Sequence, residues 1–106
     1  MHARFVTLNL KPDRLDDLTE AMNNQLLPLL KKQTGFKDLI TVAGPSRTKA
    51  VAISLWDKKE SADSYNSTTY PEVVKMLSNF LEGPPQIEVY DVVASTLHKL
   101  PTLSAV

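Results

Sequence analysis

The sequence has 106 residues, 12 basic and 12 acidic side chains, a formal net charge of zero, 42% hydrophobic residues and no cysteine. A chain of this length holds one hydrophobic core and buries roughly 60–70% of the surface its unfolded form exposes. Without cysteine it has no disulfide, thiolate metal site or cysteine nucleophile, and a reducing, cytoplasmic setting is expected. Balanced charge gives no footprint for nucleic acid or an anionic membrane surface. No apolar stretch approaches the ~20 residues of a membrane span, and Met1-His2-Ala3-Arg4 leads directly into strand-like sequence rather than a signal-peptide core.

Residues Ala3 to Leu10 alternate as a strand, with Phe5, Thr7 and Asn9 on one face and Val6, Leu8 and Leu10 on the other. Lys11-Pro12-Asp13 ends it, and acidic Asp13, Asp16, Asp17 and Glu20 suit the start of a helix. Leu15, Leu18, Met22, Leu26 and Leu29 form its apolar stripe, and Gly35 closes it in a left-handed conformation. Pro28, deep in that helix, removes the hydrogen bond to the Asn24 carbonyl and predicts a kink or break. Two further strands, Lys37–Gly44 and Lys49–Asp57, flank the turn Pro45-Ser46-Arg47-Thr48 and pair as a hairpin. In the second of them Val51, Ile53 and Leu55 alternate with Ala50, Ala52, Ser54 and Trp56, so one face is bulky and the other small up to a single indole. Asp57 is the expected N-cap of a short helix reaching Tyr65; Pro71 then opens a helical stretch with Val74, Leu77 and Leu81 on one side, stopped by Gly83-Pro84-Pro85. Gln86–Thr96 alternates as a fourth strand. One domain over 1–98 and a loosely held tail over 99–106 follow, with Leu100, Leu103 and Val106 available to pack on a neighbour.

The order strand, helix, strand, strand, helix, strand predicts an α+β, ferredoxin-like split βαβ fold, with helices on one face of an antiparallel sheet. Both alternating faces carry apolar residues, so the uncovered face predicts a homodimer with two sheets packed into a barrel-like core. The alternative is that helices and tail cover everything.

The run Val51-Ala52-Ile53-Ser54-Leu55-Trp56-Asp57 is a strand ending in tryptophan, followed by a polar helix with Ser61, Ala62 and Tyr65 and then Tyr70-Pro71-Glu72-Val73. Together with Lys11-Pro12-Asp13 and with Leu27-Pro28-Leu29-Leu30 leading to Thr34-Gly35-Phe36, it resembles the antibiotic biosynthesis monooxygenase domain family from Arg4 to about Ala94. The resemblance implies a dimeric α+β barrel with a pocket between sheet and helices, used by some members to oxidise polycyclic phenols or quinols without metal or flavin. In those members a tryptophan, matched by Trp56, works with an asparagine four residues earlier and a tyrosine six residues later; here Ala52 and Ala62 stand at those positions. The haem-degrading branch needs a histidine after the tryptophan, and none lies between Trp56 and Gly83. No metal and no cofactor are expected.

Among single residues, Trp56 beside small Ala52 and Ser54 predicts an apolar nook for a flat aromatic ligand, oriented by the indole N–H; alternatively Leu15, Met22 and Leu26 fill the nook and Trp56 is core. Tyr65 and Tyr70 are the candidate catalytic hydrogen-bond donors, although such tyrosines more often only pack. His98 is expected in solvent and Tyr90 at the dimer interface, while Asn9 and Asp91 are expected to bond each other or Arg4. Three functions fit: a homodimeric monooxygenase acting on a phenol- or quinol-like substrate, the same dimer binding a hydrophobic metabolite without turnover, or a silent protein in which Trp56 is packing.

Overall fold

The structure is a computed structural model and describes residues 1–98. The tail over 99–106, with the packing expected of Leu100, Leu103 and Val106, lies outside the described residues. The four strands are β1 (His2–Asn9), β2 (Phe36–Ala43), β3 (Lys49–Trp56) and β4 (Gln86–Asp91). They form one antiparallel sheet in the order β2-β3-β1-β4. Because strand side chains alternate, the register Val6↔Ala52 and Leu8↔Ala50 fixes which residues share a face. His2, Arg4, Val6, Leu8, Ala50, Ala52, Ser54 and Trp56 are buried beneath the helices, giving the α+β, ferredoxin-like arrangement. The fourth strand stops at Asp91 rather than Thr96. Its pairing with β1 runs to His2↔Asp91, beyond which Val92 N–H donates to the Met1 carbonyl at 2.9 Å.

The first helical segment departs from one regular rod. It runs as α1 (Leu15–Ala21), a π-turn (Met22–Leu26) and α2 (Leu27–Lys31), all in sequence. In the π-turn Leu27 N–H reaches the Met22 carbonyl, a span of five residues, just before Pro28. A wider turn moves backbone away from the proline ring, so the break expected at Pro28 takes the form of an inserted residue. That residue rotates everything after it by about a quarter turn relative to regular 3.6-residue spacing. Leu30, 2% exposed, therefore faces the core where the stripe placed Leu29.

Helices α3 (Lys59–Thr68) and α4 (Tyr70–Leu77) follow β3, with Pro71 in the first turn of α4 and a 3₁₀ turn at Ser78–Phe80. The buried stripe of α4 is Tyr70, Val73 and Leu77, one position away from the predicted Val74. Asp57 is not the N-cap, because its N–H is held by the Gly35 carbonyl at 2.8 Å and Lys58 takes the cap position. Its exposed carboxyl still sits below the usual range, chiefly through the Ser61 hydroxyl.

Among the described residues no helix covers the opposite face of the sheet. Ile40 and Val42 on β2 are 44% and 49% exposed, next to half-buried Val51, Ile53 and Leu55 of β3. Phe5 of β1 meets Tyr90 of β4 edge-on, with ring centroids 5.2 Å apart, and Tyr90 is 50% exposed.

Candidate functional site

Beneath the π-turn the β3 row Ala50-Ala52-Ser54 is made of short side chains, and a cavity of about 30 Å³ remains between sheet and helices. Its sheet wall is Arg4, Val6 and Leu8 of β1, Ala52 and Ser54 of β3 and Leu39 of β2. Its helical wall includes Met22, Leu26, Leu30, Tyr65, Tyr70 and Val73. Ala52, Ser54, Tyr65 and Tyr70 are thus brought to one space from β3, α3 and α4.

Trp56 is the exception among the predicted site residues. It is fully buried, does not line the cavity, and its indole N–H donates to Ser54 Oγ at 2.9 Å. In this structure the indole N–H that was expected to orient a ligand is thus satisfied within β3, by a hydroxyl two residues away on the same strand face. Trp56 packs edge-on against Phe36 and lies 5.0 Å from the Tyr65 ring, which makes it core next to the cavity.

Arg4, expected only as a partner for Asn9 or Asp91, lines the cavity. Its side chain is 3% exposed, Nη2 donates to Asn66 Oδ1 at 2.6 Å, and the guanidinium lies 4.0 Å from the Tyr70 ring centroid and 5.4 Å from that of Tyr65. Burial lowers its pKa, opposed by the two tyrosines. The signal for it was present, since strand alternation puts Arg4 on the covered face with Val6 and Leu8. The bonds expected for Asn9 and Asp91 do not form: Asn9 is exposed, and Asp91 faces His2, with Nδ1 at 3.9 Å. His98 is half-buried against Asp38, away from the cavity lining and not free in solvent as expected.

Both cavity tyrosines are donors rather than bases. Burial pushes the Tyr65 phenol up to about 12 and raises that of Tyr70, in each case against the pull of Arg4. The Tyr70 hydroxyl is buried with no hydrogen-bond partner among the described residues. A titration consequence follows. Between about pH 10 and about 12 the unfolded chain loses the Tyr65 proton while the native chain keeps it, so stability falls as pH rises through this window. Below pH 10 the group contributes no pH dependence. Urea unfolding from pH 9 to 12 is expected to lose about 2 kcal/mol, with Tyr65 tyrosinate absorbance appearing at higher pH in the folded chain than in the unfolded one.

The cavity as it stands has room for a water or a dioxygen molecule and not for a ring. On the far side of Met22 and Leu39, which line both spaces, a surface groove of about 270 Å³ runs between α1, the π-turn and β2. Met22 Sδ accepts a bond from Thr41 Oγ1 at 3.5 Å and otherwise closes the gap with an unbranched side chain. Met has three rotatable bonds and repacks readily, so it is the movable wall. Turning it would join the two spaces into a pocket of the size small-molecule sites have, roughly 300 Å³ upward. Met22→Ala is expected to open the cavity to the groove while lowering stability by about 2–4 kcal/mol in urea.

No protein-family model matches the sequence and no curated protein is similar to it. Solved structures do share its fold. A monooxygenase from the ActVA-Orf6 gene of Streptomyces coelicolor, in complex with nanaomycin D, superposes with a TM-score of 0.76 at 19% identity, covering 95% of this chain and 92% of that one. A protein from Bordetella bronchiseptica, provisionally named an antibiotic biosynthesis monooxygenase, gives 0.73 at 19% identity over 88% and 97%. A Nitrosomonas europaea protein of unknown function gives 0.74 at 20% identity over 95% and 94%. The fold is therefore that of structures named antibiotic biosynthesis monooxygenases, as the resemblance implied. Among the described residues no helix is long and apolar enough to cross a membrane.

Proposed function

We propose that this chain is a cytoplasmic, homodimeric oxygenase of a small electron-rich aromatic, working without metal or flavin in the cavity between sheet and helices. One observation supports it above the others: an apolar cavity in which a guanidinium and the unpartnered Tyr70 hydroxyl share the lining with Tyr65. The reading is supported by the Streptomyces coelicolor monooxygenase of similar fold, solved in complex with nanaomycin D. The homodimer would cover Ile40, Val42, Ile53 and Tyr90, an apolar face that a lone soluble chain rarely leaves in water.

The substrate supplies the electrons. A phenol that becomes a quinone loses one O–H and one ring C–H hydrogen; dioxygen gives one atom to the ring carbon, and its second atom leaves with both hydrogens as water. The protein then needs only to exclude water, hold the ring and stabilise the charge that develops on oxygen. Val6, Leu8, Leu26 and Val73 exclude water, Ala52 and Ser54 are the short side chains beside which a ring is placed once Met22 turns aside, and Tyr65 and Tyr70 donate hydrogen bonds.

A second reading, a dimer that binds a hydrophobic metabolite without turnover, is favoured by one feature: Ala52 and Ala62 provide no polar group where the resemblance places an asparagine and a tyrosine. Trp56, the single tryptophan, reports on both, because it touches Ser54 and Tyr65 at the cavity edge. Titration with anthrone-like phenols is expected to change its fluorescence and to start protein-dependent oxygen uptake. Quenching without uptake supports the binding protein, and neither response leaves Trp56 as packing alone.

A further inference from the structure

Arg4 is a buried cation with no anion. Among the described residues no carboxylate lies within ion-pair distance of it, and no acidic residue lines the cavity it faces. Its neighbours are Asn66 Oδ1 and the faces of Tyr65 and Tyr70. The titratable groups in contact with it are those two tyrosines from α3 and α4; the packed elements also carry His2 on β1, the exposed Lys59, Glu60 and Asp63 on α3, Glu72 and Lys75 on α4, Glu88 and Tyr90 on β4, and Asp91, which faces His2 and stands 90% exposed. An unpaired buried charge weakens a fold, and replacing such a charge with an apolar side chain of similar volume is often neutral or stabilising. An arginine kept there for packing would be a poor solution.

We infer that Arg4 makes the cavity a receptor for an ionised oxygen: the aromatic ligand is held as its phenolate, which accepts from the guanidinium and from the Tyr70 hydroxyl. This rests on the reading above that a ring enters past Met22. Binding then releases one proton, as phenol and free protein become bound phenolate and a proton in solution. The ionised ring is also the better electron donor to dioxygen, so the same contact that selects the ligand would prepare it.

The probe is 4-nitrophenol, whose phenolate absorbs visible light and which does not consume oxygen. Its absorbance is titrated with pH, free and with excess protein, with Trp56 fluorescence confirming occupancy. The bound probe is expected to ionise about one pH unit lower, equivalent to about tenfold tighter binding of phenolate than of phenol. Arg4→Met is expected to abolish that shift while unfolding in urea at or above the parent midpoint. Tyr70→Phe, which keeps the ring under Arg4 and removes the hydroxyl, is expected to diminish it and serves if Arg4→Met fails to fold. An unshifted bound probe, or a shift that survives in the variants, overturns the anion receptor. Failure of the probe to bind at any pH overturns both this and the aromatic-pocket reading. A shift accompanied by no oxygen uptake with anthrones sinks the oxygenase alone.

Discussion

For the proposed homodimer, replacing Ile53 with lysine is expected to yield a single chain of 11.8 kDa while leaving its secondary structure intact. Ile53 lies in the middle of the uncovered sheet face, paired with Ile40 on one side and Phe5 on the other. In an isolated chain its side chain is only half-buried, so a lysine there reaches water and costs the fold about 1 kcal/mol or less. In a face-to-face dimer two lysines would enter an apolar seam related by two-fold symmetry. Each ammonium then loses hydration without a partner, at about 2–3 kcal/mol or more, which weakens the dimer by a hundredfold or more. Sedimentation of parent and variant at micromolar concentration checks this. A parent that sediments as one chain would refute the dimer outright, and an Ile53→Lys chain that still sediments as two would move the interface elsewhere.

Gly35→Ala is expected to be the most destabilising single methyl group in the chain. Gly35 has φ +82, where a side chain is strained, and its carbonyl accepts from Asp57 N–H at 2.8 Å. An added Cβ would stand 2.6 Å from Ser61 Cβ and closer still to Asp57 Oδ1 and Ser61 Oγ. The backbone strain contributes about 1 kcal/mol and the overlap about 1–3 kcal/mol more. Because the contact joins the start of β2 to the start of α3, relief of the overlap would shift α3, and with it Tyr65. Urea unfolding is therefore expected to show a loss of about 2–4 kcal/mol, together with weaker ligand quenching of Trp56. A variant within 0.5 kcal/mol of the parent would mean that this junction is not packed as described.

The parts of the fold that depend on period two were legible in the sequence. The alternation separated Val6, Leu8 and Leu10 from Phe5, Thr7 and Asn9, and Ala50, Ala52, Ser54 and Trp56 from Val51, Ile53 and Leu55, because strand side chains point to opposite faces in turn. Pro28 announced a disturbed helix, but not that the disturbance would be an inserted π residue, since apolar spacing is blind to an extra residue placed between two leucines. The price was a wrong phase at Leu29 and Leu30. Trp56 was conspicuous by composition, whereas the direction of its N–H depended on a rotamer and on Ser54, which pattern cannot supply. Arg4 was expected only as a partner for Asn9 or Asp91; its contacts with Asn66, Tyr65 and Tyr70 depend on how α3 and α4 pack over β1, which strand alternation does not give.

The central claim is that dioxygen reacts with a ring held in the cavity that Arg4, Tyr65 and Tyr70 line. The direct measurement is turnover of an anthrone under isotopically heavy dioxygen, with mass spectrometry of product and water. The account predicts one labelled oxygen in the quinone and the other in water, at a rate that requires the protein and falls at least tenfold in Arg4→Met. Product formed no faster than in buffer, or formed equally fast by the Arg4→Met protein, would contradict it.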